Sequence, residues 1–341
     1  MWKRSRVLFA VLLAATLGVL AWQFLRPHKI TPVFKGKPVT VWVRSLGDGS
    51  MDTFSLQRTW AAFGPDAVPY LAKALEQRNS PAGKIYIGLW PHLPAAVRAH
   101  LPRPVDALAV RQNAANVLSF WSAGCKFAVP ALVAALKDED WTVRQNVAGA
   151  LGSVGREHPE VVPALVSALD DEHQTVRGNA AASLGDIGPK AKDAIPTLLR
   201  ALQDADAMVR VLSADALIRV QPSTASEAEV LPLLLKSLTD TNHYVRANAA
   251  LALRNAALAL SDVQNKSASV VSALAERIQH DEDPFVRRTA AEALYRLGKQ
   301  AQAAVPALLA ARNDEDANVR ERASRALKRI DPEAAANAGV R

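Results

Sequence analysis

One cysteine, Cys125, stands among 341 residues, so the chain can build neither an internal disulfide framework nor a cysteine-ligated zinc site. Aromatic residues are few, at 6%, while half of all residues are hydrophobic. The apolar half excludes a disordered chain. Scarce aromatics with abundant alanine suit closely packed helices better than a β-sandwich core. Acid is missing from the first forty residues, which hold Lys3, Arg4, Arg6, Arg26, Lys29, Lys35 and Lys37. Seven of the eight net positive charges lie there, leaving 34 bases against 33 acids in residues 41–341. A positive total of this size invites a nucleic-acid reading, but a near-neutral bulk argues against a phosphate-binding groove, and no nucleic acid is expected. Also missing are a Walker A motif, a Gly-x-Ser-x-Gly elbow and a dinucleotide glycine fingerprint. The seven histidines (His28, His92, His100, His158, His173, His243, His280) include no pair at metal-binding helical spacing. No cofactor and no metal are expected, and catalysis finds no motif to rest on.

What is present begins with an uncharged run, Val7 to Leu25. As a helix it would span roughly 28 Å, close to the hydrocarbon thickness of a bilayer. Trp2 and Trp22 stand near its two ends, where interfacial aromatics belong. Residues 7–25 therefore read as a transmembrane signal anchor. A signal peptide cut after Ala21, and a buried core helix, are the alternatives. Bases on both flanks give a weak orientation bias. The expected placement is single-pass in a bacterial inner (cytoplasmic) membrane with the C-terminal part outside the cytoplasm. Export after cleavage near Ala21 is the other possibility.

Beyond residue 60 the chain repeats. Val-Arg recurs at Val110-Arg111, Val143-Arg144, Val176-Arg177, Val209-Arg210, Val245-Arg246, Val286-Arg287 and Val319-Arg320, with spacings of 33, 33, 33, 36, 41 and 33. Thirteen residues earlier stands Pro130, Pro163, Pro196, Pro232 or Pro306, which suits a first helical turn. Asp140, Asp206, Asn242, Asp283 and Asp316, three before the Val, are N-caps for a second helix. That helix buries the Val and positions +5, +8 and +11, as in Val176, Ala181, Leu184 and Ile187. Gly155, Gly188 and Gly298 stand where a helix-ending glycine belongs. A unit of this size cannot bury both faces of a helix pair, so units must stack into a solenoid.

This pattern resembles the HEAT repeat in its short bacterial form. The resemblance covers about 110–330, and Pro69 to Leu75 extends it upstream. The fold expected is all-α, an α-solenoid of about eight antiparallel helix pairs preceded by one transmembrane helix. Residues 1–29 form the anchor. Residues 30–64 are a linker and degenerate capping repeat, and 65–125 a repeat with an insertion at 76–104. Tandem repeats fill 126–335, and 336–341 is a tail. Two ladders follow from the register, Asp138, Asp171, Asp204, Asp240, Asp281 and Asp314 against Arg111, Arg144, Arg177, Arg210, Arg246, Arg287 and Arg320. The resemblance implies that they bridge adjacent repeats; an anion-binding row of arginines is the functional alternative.

Three residues after the Val stands Asn113, Asn146, Asn179 or Asn248. Armadillo proteins, a related family, hold extended peptides with such a row, while a structural amide would instead satisfy the neighbouring unit. The insertion carries Tyr86, Trp90 and His92, either as a binding element or as a cover folded over the stack by Ile85, Ile87, Leu89 and Trp90. HEAT-type hydroxylases use His-Glu dipeptides, which are absent here. The function expected is a membrane-anchored scaffold or adaptor binding a protein or extended peptide. An enzyme or lyase-like assembly factor using 76–104 is the rival.

Overall fold

The computed structural model describes residues 33–34, 36–120, 125–226, 229–259 and 264–340. The run 7–25, expected to cross a membrane, lies outside the described residues. Among those described, no helix is long and apolar enough to cross one. The chain divides into two units, Met1–Arg44 and Ser45–Arg341.

The first unit holds a short antiparallel hairpin, β1 (Val33–Phe34) and β2 (Lys37–Pro38), with Val33 opposite Pro38. Gly36, at φ +74°, makes the turn. Helix α1 (Val39–Ser45) begins directly after it, and its Trp42 indole donates to the Phe34 carbonyl at 3.2 Å. The all-α expectation missed this hairpin because two-residue strands leave no alternation to read.

In the second unit α2 (Thr53–Ala61) precedes a series of helix pairs. The first pair is α3 (Val68–Ala74) and α6 (Ala107–Ser119), with α4 (Pro81–Leu89) and α5 (Ala95–Arg98) inserted between them. The next pairs are α7 (Val129–Ala135) with α8 (Trp141–Val154), α9 (Val161–Ala168) with α10 (Gln174–Ile187), and α11 (Ile195–Ala201) with α12 (Ala207–Val220). After them come α13 (Val230–Ser237) with α14 (His243–Ala259), α15 (Gln264–His280) with α16 (Pro284–Leu297), and α17 (Val305–Ala311) with α18 (Ala317–Ile330). A last short helix, α19 (Pro332–Asn337), folds against α18 and buries Ala335.

Each second helix is buried along two lines. One is the expected stripe; Val176, Ala181, Leu184 and Ile187 are all at most 2% exposed. The other was not read from the sequence. Positions four and seven after the Val are also sealed, and they are small or slender: Val147 and Ala150, Ala180 and Ser183, Ser213 and Ala216, Ala249 and Ala252, Ala290 and Ala293, Ala323 and Ala326. This second line faces the neighbouring second helices, so α6, α8, α10, α12, α14, α16 and α18 pack side by side in chain order. Here is the physical use of the abundant alanine. Gly152 carries it furthest, since a Cβ there would lie 2.6–2.9 Å from Ser183.

The helix-ending glycines divide into two kinds. Gly188 and Gly298 have φ of +71° and +58°, a region that penalises any side chain. They open short 3₁₀ turns, Gly188–Ala194 and Gly298–Ala304, that lead into the next first helix. Gly155 departs from the expectation. Its φ of −64° is ordinary helix, and what its missing side chain admits is Ile187, whose Cδ1 would lie 2.4 Å from a Cβ.

Candidate functional site

The turns between paired helices make one edge of the stack. Asp140 accepts the N–H groups of Thr142 and Val143, and Asp206 those of Met208 and Val209. Asn242, Asp283 and Asp316 cap α14, α16 and α18 in the same manner. In the α10 unit His173 takes this place, its Nδ1 facing the Thr175 N–H at 3.4 Å. Two residues before each cap, the ladder aspartate folds back on the cap's N–H: Asp138, Asp171, Asp204, Asp240, Asp281 and Asp314 all do so at 2.8–3.0 Å.

The arginines then tie the turns together. Inside its own unit, Nη1 of Arg144, Arg177, Arg210, Arg246, Arg287 and Arg320 donates to the ladder aspartate's carbonyl at 2.7–3.0 Å. Arg111 donates instead to the Gln77 carbonyl. Towards the next unit, Nε and Nη2 form a fork on the following aspartate. The forks are Arg144–Asp171, Arg177–Asp204, Arg246–Asp281 and Arg287–Asp314, with Nε to carboxylate distances of 2.7–2.9 Å, and Arg111 pairs with Asp138 through a single hydrogen bond from Nη2 at 3.2 Å. Arg210 and Asp240 are not brought together, and Arg320 has no following ladder aspartate. Burial is the largest influence on the carboxyls of Asp171, Asp204 and Asp314 and would raise them, but hydrogen bonds from Arg144, Arg177 and Arg287, the cap N–H groups of His173, Asp206 and Asp316, and the nearby positive charges together hold them below the usual aspartate range.

The accessible face of the second helices follows positions three, six and ten after the Val. It starts on α8 at Asn146, Gly149 and Ser153, carries Asp186, Asp215 and Glu292 among bases in between, and ends on α18 at Arg322, Arg325 and Arg329, with Arg322 paired to Glu292. The asparagine row lies on it, half-buried. Asn113 donates to the Leu46 carbonyl at 2.7 Å, and Asn179 to that of Gln145, on the preceding second helix, at 3.1 Å. Asn248 donates to Tyr244 on its own helix at 2.8 Å. These bonds use one amide hydrogen of each and leave the second hydrogen and the oxygen available to a guest.

Between α12 and α14 the face opens into a cavity of about 350 Å³ lined by Ala182, Leu212, Asn248, Leu251, Asp215 and Arg254. Its walls are apolar at one end. At the other, Asn255 donates to Asp215 at 2.6 Å and accepts from Arg254 at 2.8 Å. Burial draws the Arg254 guanidinium below the ordinary arginine value, with no carboxylate in ion-pair contact with it among the described residues. No spacing in the sequence marks this cavity, because its lining comes together from three helices only once they stand side by side.

Two further features stand apart. Trp141 stacks flat on His173, with centroids 3.9 Å apart and planes at 6°, and remains 39% exposed. In the insertion, Tyr86 donates its hydroxyl to the Pro102 carbonyl at 2.5 Å and meets Trp90 edge-on at 5.8 Å, while His92 is exposed. No residue of 76–104 is buried, and Ile85 and Leu89 are 63% and 53% exposed. The insertion's first residues are tied to the stack, with Arg78 beside Asp138 at 3.3 Å and Asn79 bonded to Asp106 and the Ala107 N–H, while its apolar side chains bury nothing fully. Among the described residues no group of three or more His, Cys, Asp or Glu side chains could hold a metal ion.

A family model described as HEAT repeats matches residues 106–185, 162–254 and 253–328. No curated protein matches the sequence. Among solved structures, Kap121p is similar over 86% of this chain and 33% of its own, at 14% identity and a TM-score of 0.57. Kap121p bound to Pho4p is similar over 89% of this chain and 34% of its own, at 14% identity and a TM-score of 0.56. An engineered protein matches over 89% of this chain and 82% of its own, at 23% identity and a TM-score of 0.44. The chain therefore spans about one third of the length of Kap121p, and the likeness is one of fold.

Proposed function

We propose that this chain, which belongs to the HEAT repeat family, is a scaffold that binds a protein or extended peptide across the face of its second helices. The observation that carries this reading is the face itself. Side-by-side helices joined through small residues make a continuous surface, and it bears spare amide groups and a cavity large enough for a side chain. A cavity with apolar walls and a few convergent polar groups is a common form of recognition site. Kap121p, to which the fold is similar, has been solved bound to Pho4p and to the extreme C-terminus of the protein phosphatase Cdc14p. We extend the binding of a protein partner to this chain and place it on the face of the second helices. The reading requires binding alone, without turnover.

We further propose that residues 7–25 hold the scaffold at a bacterial inner membrane with the repeats outside the cytoplasm. The uncharged run and its tryptophan flanks support this, and the alternative is release after a cut near Ala21. One experiment addresses both parts. Membrane fractions expressing the chain are crosslinked, the chain is recovered, and its intact mass is measured. The expected outcome is an uncut chain in the membrane fraction joined to a defined polypeptide. A chain shortened by its first 21 residues would overturn the anchor, and recovery without any polypeptide would overturn the scaffold.

A further inference from the structure

The turn edge repeats one joint and omits it once. In the closed joints a carboxylate from the next unit takes both Nε and Nη2 of the ladder arginine. In three of them, Nη2 also reaches the glutamate that follows the aspartate: Glu172, Glu282 and Glu315. Between α12 and α14 the repeat lengthens to 36 residues and the joint opens. Arg210 keeps the inner half of the pattern, donating from Nη1 to the carbonyls of Asp204 at 2.7 Å and Ala205 at 3.0 Å. Those bonds fix the guanidinium as in the closed joints. Its Nε and Nη2 have no partner among the described residues. Among the described residues Asp240 likewise keeps only its inner bond, from the Asn242 N–H at 2.8 Å. Both line a cleft of about 600 Å³ with Leu202 and Leu233 on its apolar side and Lys236 and Glu229 on its polar side.

The geometry points to this open joint as a docking site for an acidic segment of a partner polypeptide, the guest carboxylate taking the place that a ladder aspartate fills elsewhere. The inference rests on the scaffold reading and names what part of the partner is held. A guanidinium already oriented by two backbone bonds loses little freedom when a carboxylate arrives, and the resulting fork is a strong charge-assisted pair. The closed joints show the sequence that suits it, Asp followed by Glu. Lys236 supplies a second cation, and the free oxygen of Asp240 can accept a guest backbone N–H beside the acid.

The test is fluorescence anisotropy of a labelled peptide of about a dozen residues with a central Asp-Glu, titrated with the full chain. Its Asn-Gln counterpart and a peptide whose only acid is a free C-terminus run beside it. Arg210→Gln is expected to weaken the Asp-Glu peptide about tenfold or more, with the Asn-Gln peptide binding no tighter than that variant does. Lys236→Gln, at an exposed position, is expected to weaken it less, and a matching urea midpoint confirms that this variant folds. Equal binding of wild type and Arg210→Gln would overturn the inference, as would equal binding of the Asp-Glu and Asn-Gln peptides. Failure of the wild type to bind the Asp-Glu peptide at millimolar chain would overturn it too, and tighter binding of the C-terminal probe would move the site's preference to chain ends. Should Arg210→Gln still capture the crosslinked partner as wild type does, the scaffold reading stands and this joint is not its seat.

Discussion

Arg177 and Arg210 occupy the same register in successive units and differ in what they hold. Arg177 forks onto Asp204 with both side chains largely buried, whereas Arg210 meets no carboxylate among the described residues. Removing one partner of a buried pair leaves the other charge uncompensated. Arg177→Ala should therefore cost about 2–4 kcal/mol, and Arg210→Ala, which loses hydrogen bonds to carbonyls alone, about 1 kcal/mol. Urea midpoints of the two variants compare them directly. The carboxyls of Asp171, Asp204 and Asp314 are depressed in the folded state, so their stabilisation is present above the unfolded value near about 4 and is lost as pH falls through the folded one. The midpoint should stay level from about pH 7 to about pH 5 and drop below about pH 4, more shallowly in Arg177→Gln than in wild type. At this scale the sequence was informative where register repeats. Asp and Arg at constant offsets from Val could be paired on paper, but the opening between Arg210 and Asp240 could not, because unit length does not decide it: the 41-residue step from Val245 to Val286 keeps its Arg246–Asp281 joint closed, while the 36-residue step before it opens.

Among the elements, α8 provides a matched pair of glycines. A Cβ at Gly152 would strike Ser183 on α10, while one at Gly149 meets nothing within 4 Å. Gly149→Ala should stabilise by about 0.5–1 kcal/mol through helix propensity. Gly152→Ala should destabilise by about 1–3 kcal/mol, since two helix backbones would have to separate. Thermal melts of both variants check the sign of each. The helix pairs, their caps and their first-turn prolines were legible because each rests on local chemistry. The line of small residues that joins the second helices was not. Alanine at positions four and seven carries no hydrophobic contrast that would separate a packed side from an exposed one. Gly155 was misread for a related reason, since a glycine that admits Ile187 and one that turns the chain look alike in sequence.

Over the whole molecule, the near-balance of charge in residues 41–341 hides an arrangement. Acids gather on the turns at second-helix N-termini, where the helix dipole favours them, and bases at the C-terminal ends of α16 and α18. On the accessible face α8 is uncharged, α18 presents Arg325 and Arg329, and Arg322 is paired with Glu292 of α16. Tyr295 there lies under Arg325 and Arg329, at 5.2 and 4.8 Å from its ring centre. The solenoid was readable from the seven-fold Val-Arg register. The cavity beside Leu212 was not, because it exists only once α12 and α14 stand side by side. The most direct test of the account places a photo-crosslinking residue at Ala182 or Leu251 on the accessible face, or at Ser167 on the outer side of α9. Irradiation in cells that express the chain should join a polypeptide to the first two positions and not to the third. Equal crosslinking from Ser167, or no polypeptide joined at Ala182 and Leu251, would contradict it.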